Sequence, residues 1–243
     1  MSKGTAVITG AANGIGQAYA QRLATDGFDI AVADVVDAST TKGLIEATGR
    51  KFFSALVDVT SPESTLQFAA DVAANLPPVV ALVNNAGIYP WKSFADTDYA
   101  LWRKVLSVNL DGAFLMSKAF IPGMKERKLG RIVNVASSTL WLNVPDMSAY
   151  IASKGGVIGL TRALASEFGA SGITANVIAP GLTNTKSMRG TNEEIFEFLP
   201  KLQAIPRTLE PTDLVGVVSF LCSPDSAFVT GQTIVADGGQ ARL

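Results

Sequence analysis

Short runs of β-branched and aliphatic residues recur along this chain, each followed by a longer stretch of helical period. That alternation constrains the fold more than any other feature. The strand-like runs are Thr5–Thr9, Asp29–Ala33, Phe52–Val57, Val79–Val83, Arg131–Val135, Ile173–Ile178 and Thr233–Val235. Most are apolar at consecutive positions, so both faces of each strand need cover, the condition of a parallel sheet between helical layers. Between them the periodicity predicts helices over Ile15–Asp26, Thr41–Thr48, Glu63–Asn75, Ser148–Gly169, Glu193–Leu199 and Pro211–Cys222. Pro62 sits where a first helical turn tolerates proline, and Gly169 is placed as a C-terminal stop. Tyr99 to about Lys128 reads as one long helix. Right-handed crossovers then give a doubly wound α/β fold, whose ligands lie beyond the strand C-termini. No linker or repeat interrupts the pattern, so one domain over residues 1–243 is expected. Its longest connection, about 182–207, is expected to be a flap.

Composition removes whole classes of chemistry. The chain has no histidine, which excludes Ser-His-Asp triads, Cys-His pairs, HExxH zinc sites and imidazole acid–base catalysis. Its lone cysteine, Cys222, excludes an internal disulfide and a Cys-cluster metal site, and no metal is expected. A formal charge of −1, from 20 basic and 21 acidic residues, gives no electrostatic grip on nucleic acid or anionic lipid. The N-terminus lacks the long apolar core of a signal peptide, and no apolar run approaches the ~18–20 residues of a membrane span. A cytoplasmic protein with a small-molecule substrate is expected. Its chemistry must use Ser, Tyr, Lys, Asn, Asp or Glu with a borrowed cofactor.

The turn after the first strand reads Thr9-Gly10-Ala11-Ala12-Asn13-Gly14-Ile15-Gly16. Glycine there permits a tight turn and lets backbone N–H groups approach a pyrophosphate at a helix N-terminus. The spacing differs from G-x-G-x-x-G, but the position between strand and helix is that of a dinucleotide loop. The second strand ends at Asp34, placed to bind a ribose diol and repel a 2′-phosphate. Val35 and Val36 offer no cation and Asp37 adds a negative charge, so NAD is favoured over NADP. Asp58, after the third strand, is placed to meet the adenine amino group. After the fourth strand, Asn84-Asn85-Ala86-Gly87 offers small residues against adenosine, while Asn84 alternatively ties neighbouring strands together.

Tyr150 and Lys154 stand at i and i+4 of a predicted helix, on one face and one turn apart. A phenol of pKa ~10 is a poor base at neutral pH, but an ammonium a few Å away stabilises its phenolate. A drop of ~2–3 units corresponds to roughly 3–4 kcal/mol. Ser137, at the end of the fifth strand, is placed to hold a substrate oxygen as charge develops. Asn109, between Val108 and Leu110, is either a satisfied core amide or the holder of a proton-relay water to Lys154.

These motifs resemble the short-chain dehydrogenase/reductase family over essentially the whole chain: TGAANGIG at 9–16, Asp34, Asp58, NNAG at 84–87, Asn109, Ser137, YIASK at 150–154 and Pro180-Gly181. The resemblance implies a Rossmann-type sheet of about seven strands and reversible alcohol–carbonyl interconversion. It implies Tyr150 as acid/base, Lys154 as ribose anchor and pKa depressor, Ser137 as substrate orienter and Asn109 as holder of the relay water. It further implies a cofactor lying along Gly10, Asn13, Gly14, Ile15, Gly16, Asp34, Val35, Asp58, Val59, Asn85, Ala86, Gly87, Tyr150, Lys154, Pro180 and Gly181, with Thr183 and Thr185 at the carboxamide. Homotetramers packed through the long helices are common in the family. Residues 137–144 (SSTLWLNV), 159–169 and 230–239 are similar to bacterial NAD-dependent secondary-alcohol dehydrogenases of 1-phenylethanol type, and pyridoxal 4-dehydrogenase-like enzymes also look similar.

The pocket is expected to be bordered by Trp141, Leu142, Val144 and Met147, by Tyr89 and Trp91, and by Met188, Phe196 and Leu199 from the flap, enclosing an apolar cyclic or aromatic alcohol or ketone. Trp91 and Trp141 alternatively pack under the flap or in an interface. An NADP-dependent 3-oxoacyl reductase and a non-catalytic dinucleotide-binding module are the competing readings.

Overall fold

The structure is a computed structural model and describes residues 2–189 and 194–242. Seven parallel strands form one sheet in the order β3-β2-β1-β4-β5-β6-β7. They are β1 Thr5–Thr9, β2 Asp29–Asp34, β3 Phe52–Leu56, β4 Val79–Asn84, β5 Gly130–Val135, β6 Ile173–Pro180 and β7 Thr233–Ala236. The helices are α1 Gly14–Thr25, α2 Ser39–Glu46, α3 Pro62–Asn75, α4 Tyr99–Leu106, α5 Gly112–Arg127, α6 Ser148–Phe168, α7 Lys186–Arg189, α8 Glu194–Phe198 and α9 Pro211–Cys222. Of the helix expected over Glu193–Leu199, Glu193 lies outside the described residues.

Alternate strand residues feed two separate cores, as the two-sided apolar runs require. Ala6 and Ile8 of β1 join Ile30 and Val32 of β2 against Tyr19, Leu23, Leu214 and Val218 of α1 and α9. Val7, Ala31 and Leu82 face the other way, against Phe68 of α3 and Met116 and Phe120 of α5. The order reverses at β1, which pairs with both β2 and β4, and a crevice opens above the C-terminal ends of β1 and β4.

Most helix ends fall within two residues of the sequence reading, and two features differ in kind. The stretch from Tyr99 to Lys128 is two α-helices joined by one π-helical turn, Ser107–Asp111. That turn carries an extra residue and brings the buried Asn109 inward, which periodicity over an apolar stretch does not reveal. Gly169 does not cap α6 in the left-handed conformation; it opens a 3₁₀ turn, Gly169–Ser171. The left-handed residue is Gly172, at φ 75°, where a Cβ would fall 2.2 Å from the Lys128 carbonyl oxygen.

Candidate active site

A cleft of about 500 Å³ runs along the C-terminal edge of the sheet, from the glycine loop and Asp34 at one end to Tyr150, Lys154 and the segment after β6 at the other. It brings together every residue expected to contact the cofactor, from Gly10 and Asn13 through Val59 to Gly181 and Thr185.

Backbone geometry builds the first end. Gly10 (φ 65°) turns the chain out of β1, its N–H bonded to the Ala33 carbonyl at 2.8 Å. Gly16 lets α1 press onto the loop, since a Cβ there would lie 2.2 Å from the Gly10 carbonyl oxygen. Asn85 stitches β4 to this loop: its Nδ2 donates to the carbonyls of Thr9 and Gly10 at 3.0 and 2.9 Å. The Thr9 hydroxyl accepts the N–H groups of Asn85 and Ala86. Asp34 is fastened to the same loop, accepting the Ala12 N–H at 2.8 Å and the Val36 N–H at 3.2 Å, so its carboxylate is fixed in direction. Asp58 accepts the N–H and hydroxyl of Thr60, which holds its carboxyl below the usual range.

This end fits a dinucleotide. The first turn of α1 carries no acidic side chain, and Asn13 at its N-cap makes no side-chain bond to it, leaving the positive end of a 12-residue helix facing the cleft. Its other charged lining residues are Asp34 and Asp58; Lys154 is the one cation among the described lining residues.

At the reacting end, Lys154 is 4% exposed and its Nζ donates to the Val135 carbonyl at 2.7 Å. Burial pulls its ammonium down to about 8. The Nζ stands 5.7 Å from the centre of the Tyr150 ring, over its face. Burial pushes the Tyr150 phenol up from its ordinary value; the nearby Ser137 hydroxyl opposes that shift, and the phenol of Tyr89 adds to it. The expected depression of Tyr150 by Lys154 is therefore absent in the protein chain by itself. The cation lies over the ring without a hydrogen bond to the hydroxyl, and desolvation is the larger effect.

Asn109 is a saturated amide. Its Nδ2 donates to the Ile88 carbonyl and the Ser153 hydroxyl, both at 2.9 Å, and its Oδ1 accepts the Ile88 N–H at 2.8 Å. It fixes the loop after β4 against α6, where the Ser153 hydroxyl donates to the Tyr150 carbonyl at 2.6 Å, and its side chain makes no bond to Lys154. Asn84 proves to tie strands together: its Nδ2 donates to Asn134 Oδ1 at 2.8 Å and to the Ser117 hydroxyl at 3.2 Å. Thr183 donates to the Gly181 carbonyl, and the Thr185 hydroxyl accepts the Met188 N–H, beside Gly14.

Leu142, Val144, Met147, Tyr89, Trp91, Met188 and Leu199 line the substrate end as expected. Trp141 does not. The 3₁₀ turn Ser138–Trp141 swings it into a small cluster with Ala136, Val177, Leu140 and Ile158. Phe196 likewise leaves the cleft, facing a crevice with Leu182, Pro200 and Leu209 while the Arg189 guanidinium stacks on its ring. Sequence reading missed Ile88, Leu182, Ile195 and Gln240, none of which has a motif of its own. No described helix is long and apolar enough to cross a membrane, and no described His/Cys/Asp/Glu group is placed to hold a metal.

A doubly wound parallel sheet with a glycine loop at its switch point defines a Rossmann-type α/β protein. The chain belongs to the short-chain dehydrogenase/reductase family: the family model described as enoyl-(acyl carrier protein) reductase matches residues 10–241. It is 38% identical over 242 residues to nodulation protein G of Azospirillum brasilense, covering 98% of both. It superposes on a Sinorhizobium meliloti 1021 structure ascribed to a short-chain alcohol dehydrogenase with TM-score 0.94 and 37% identity, over 99% of this chain and 97% of that one. A Beutenbergia cavernae structure ascribed to an NAD(P)-dependent gluconate 5-dehydrogenase, with NADP bound at low occupancy, matches with TM-score 0.90 and 35% identity, over 99% and 97%. The chain is thus an oxidoreductase of this family.

Proposed function

We propose that the protein interconverts a secondary alcohol and a ketone on an apolar, cyclic or aromatic substrate, with NAD as hydride carrier and Tyr150 as acid/base. The observation that carries this reading is that Ser137, Tyr150 and Lys154 line one apolar cleft, with the Lys154 Nζ 5.7 Å from the centre of the Tyr150 ring. When bound, the nicotinamide accepts or supplies the hydride. Ser137 orients the substrate oxygen, and Tyr150 takes the carbinol proton in oxidation or gives its own to the carbonyl oxygen in reduction. Lys154 anchors the ribose. Asn109 acts by position, holding Ile88 and, through Ser153, the backbone of Tyr150. Homotetramers through α4–α6 and a cytoplasmic location accompany this reading; Tyr99 and Phe114, both exposed, supply apolar surface for such packing.

NAD is favoured by the fixed Asp34 carboxylate and the nearby Asp37, with no cation among the described residues lining that end of the cleft. A 2′-phosphate there meets like charge and finds no partner. Steady-state comparison of both cofactors, with Asp34→Ala alongside, tests this; equal efficiency of the unaltered protein with NADP overturns it. The chemistry is tested with Tyr150→Phe, which is expected to bind NAD while kcat falls by roughly 10²–10⁴. Retention of more than a few per cent of the activity refutes the role of Tyr150, and failure of the unaltered protein to turn over any secondary alcohol or ketone favours a binding module.

A further inference from the structure

We infer that Gln240 reads a second, uncharged oxygen function on the substrate, remote from the reacting carbinol. This rests on the alcohol–ketone reading above and narrows its substrate class. Gln240 lines the cleft although it lies four residues beyond β7. Its position is built rather than incidental. The buried Asp237 carboxylate accepts the N–H groups of Gly239, Gln240 and Ala241 at 3.0, 3.2 and 2.8 Å, curling the chain back over the sheet edge. Gly238 and Gly239 take left-handed backbone angles (φ 70° and 77°), and the Gly238 carbonyl accepts the Ile205 N–H at 2.9 Å, docking the turn against the end of the flap. Gly181 makes room for the carboxylate, since a Cβ there would come 2.9 Å from the Cβ of Asp237.

Several other polar side chains at this end are already engaged. Thr139 donates to Ser137 at 3.0 Å, and Tyr89 pairs with Ser187. The Gln240 amide makes no hydrogen bond among the described residues, while apolar Leu142, Val144, Trp91 and Leu199 line the same cleft. An unpaired amide facing an apolar cleft loses water when the cleft fills, and that loss is offset only by a ligand that hydrogen-bonds it. A carboxamide both donates and accepts, so it serves a hydroxyl or a carbonyl equally. The second group is uncharged because Lys154, the one charged lining residue described at this end, is bonded to the Val135 carbonyl beside Tyr150, and no other described lining residue there carries a charge to match an ion.

The test compares acetophenone with its 3- and 4-hydroxymethyl derivatives, using the unaltered protein and Gln240→Leu, which keeps bulk and removes the amide. The unaltered protein should favour one hydroxymethyl derivative by roughly 10-fold in kcat/KM, mostly through KM, the size of one hydrogen bond in a partly dry site. In Gln240→Leu that ratio should fall to about one. The same ratio in both proteins overturns the assignment. The melting temperature of the NAD-loaded protein with each ketone gives a readout independent of turnover. A larger shift with the hydroxymethyl ligand that disappears in Gln240→Leu, without any catalysis, supports the Gln240 assignment and refutes the proposed function. No difference in shift between the two ligands refutes the Gln240 assignment.

Discussion

Replacing Lys154 by Met should stabilise the protein at neutral pH while removing its activity. The ammonium is almost wholly buried, its one hydrogen bond among the described residues goes to the Val135 carbonyl, and burial pulls its pKa from 10.5 to about 8. A group whose charged form is disfavoured on folding destabilises the native state fully below its folded pKa. The penalty is relieved as pH rises from about 8 towards 10.5, because the unfolded chain then binds more protons. At 1.36 kcal/mol per unit, the gap at pH 7 amounts to about 3 kcal/mol. Met fills a similar volume without a charge, and loss of the bond to Val135 returns about 1 kcal/mol, leaving a net gain of roughly 2 kcal/mol. Urea unfolding of both proteins at equal concentration should show this gain at pH 7 and little of it at pH 9.5. Activity should be lost at both, as strained functional groups commonly trade stability for chemistry. Destabilisation of Lys154→Met at pH 7, or a gain that does not change with pH, refutes the argument that burial alone sets the state of this lysine.

Three further outcomes follow from the same geometry. Gly16→Ala puts a Cβ 2.2 Å from a backbone carbonyl that cannot move independently, so unfolding free energy should fall by about 1–3 kcal/mol and NAD affinity should drop with it. Gly14→Ala finds only Thr185 within 4 Å and costs only the left-handed φ of 58°, about 1–2 kcal/mol, so denaturation midpoints should separate packing from backbone conformation. Because burial holds the Tyr150 phenol up, it is protonated at neutral pH. kcat/KM should therefore rise with pH for alcohol oxidation from pH 6 to 9 and stay flat for ketone reduction. A flat oxidation limb over that range contradicts proton removal by this phenol.

The sequence by itself determined the sheet, because seven two-sided apolar runs separated by helical stretches have few ways to bury both faces, and short connections force parallel crossovers. It also determined which chemistry was available. A chain without histidine that carries Tyr150 and Lys154 one turn apart, after a glycine loop and a strand-end Asp34, shows its reacting groups in local spacing. Tertiary structure decided what local spacing cannot encode. Lys154 came to rest over the ring of Tyr150, and burial is the largest influence on the phenol. A π-helical turn aimed Asn109 at Ile88 and Ser153. Trp141, in sequence a wall of the pocket, was turned into a neighbouring cluster, while Gln240 was carried into the cleft by the Asp237 turn. Periodicity reports the environment a segment needs, averaged over its length; the direction of one side chain at a loop or helix irregularity depends on contacts with residues distant in the chain.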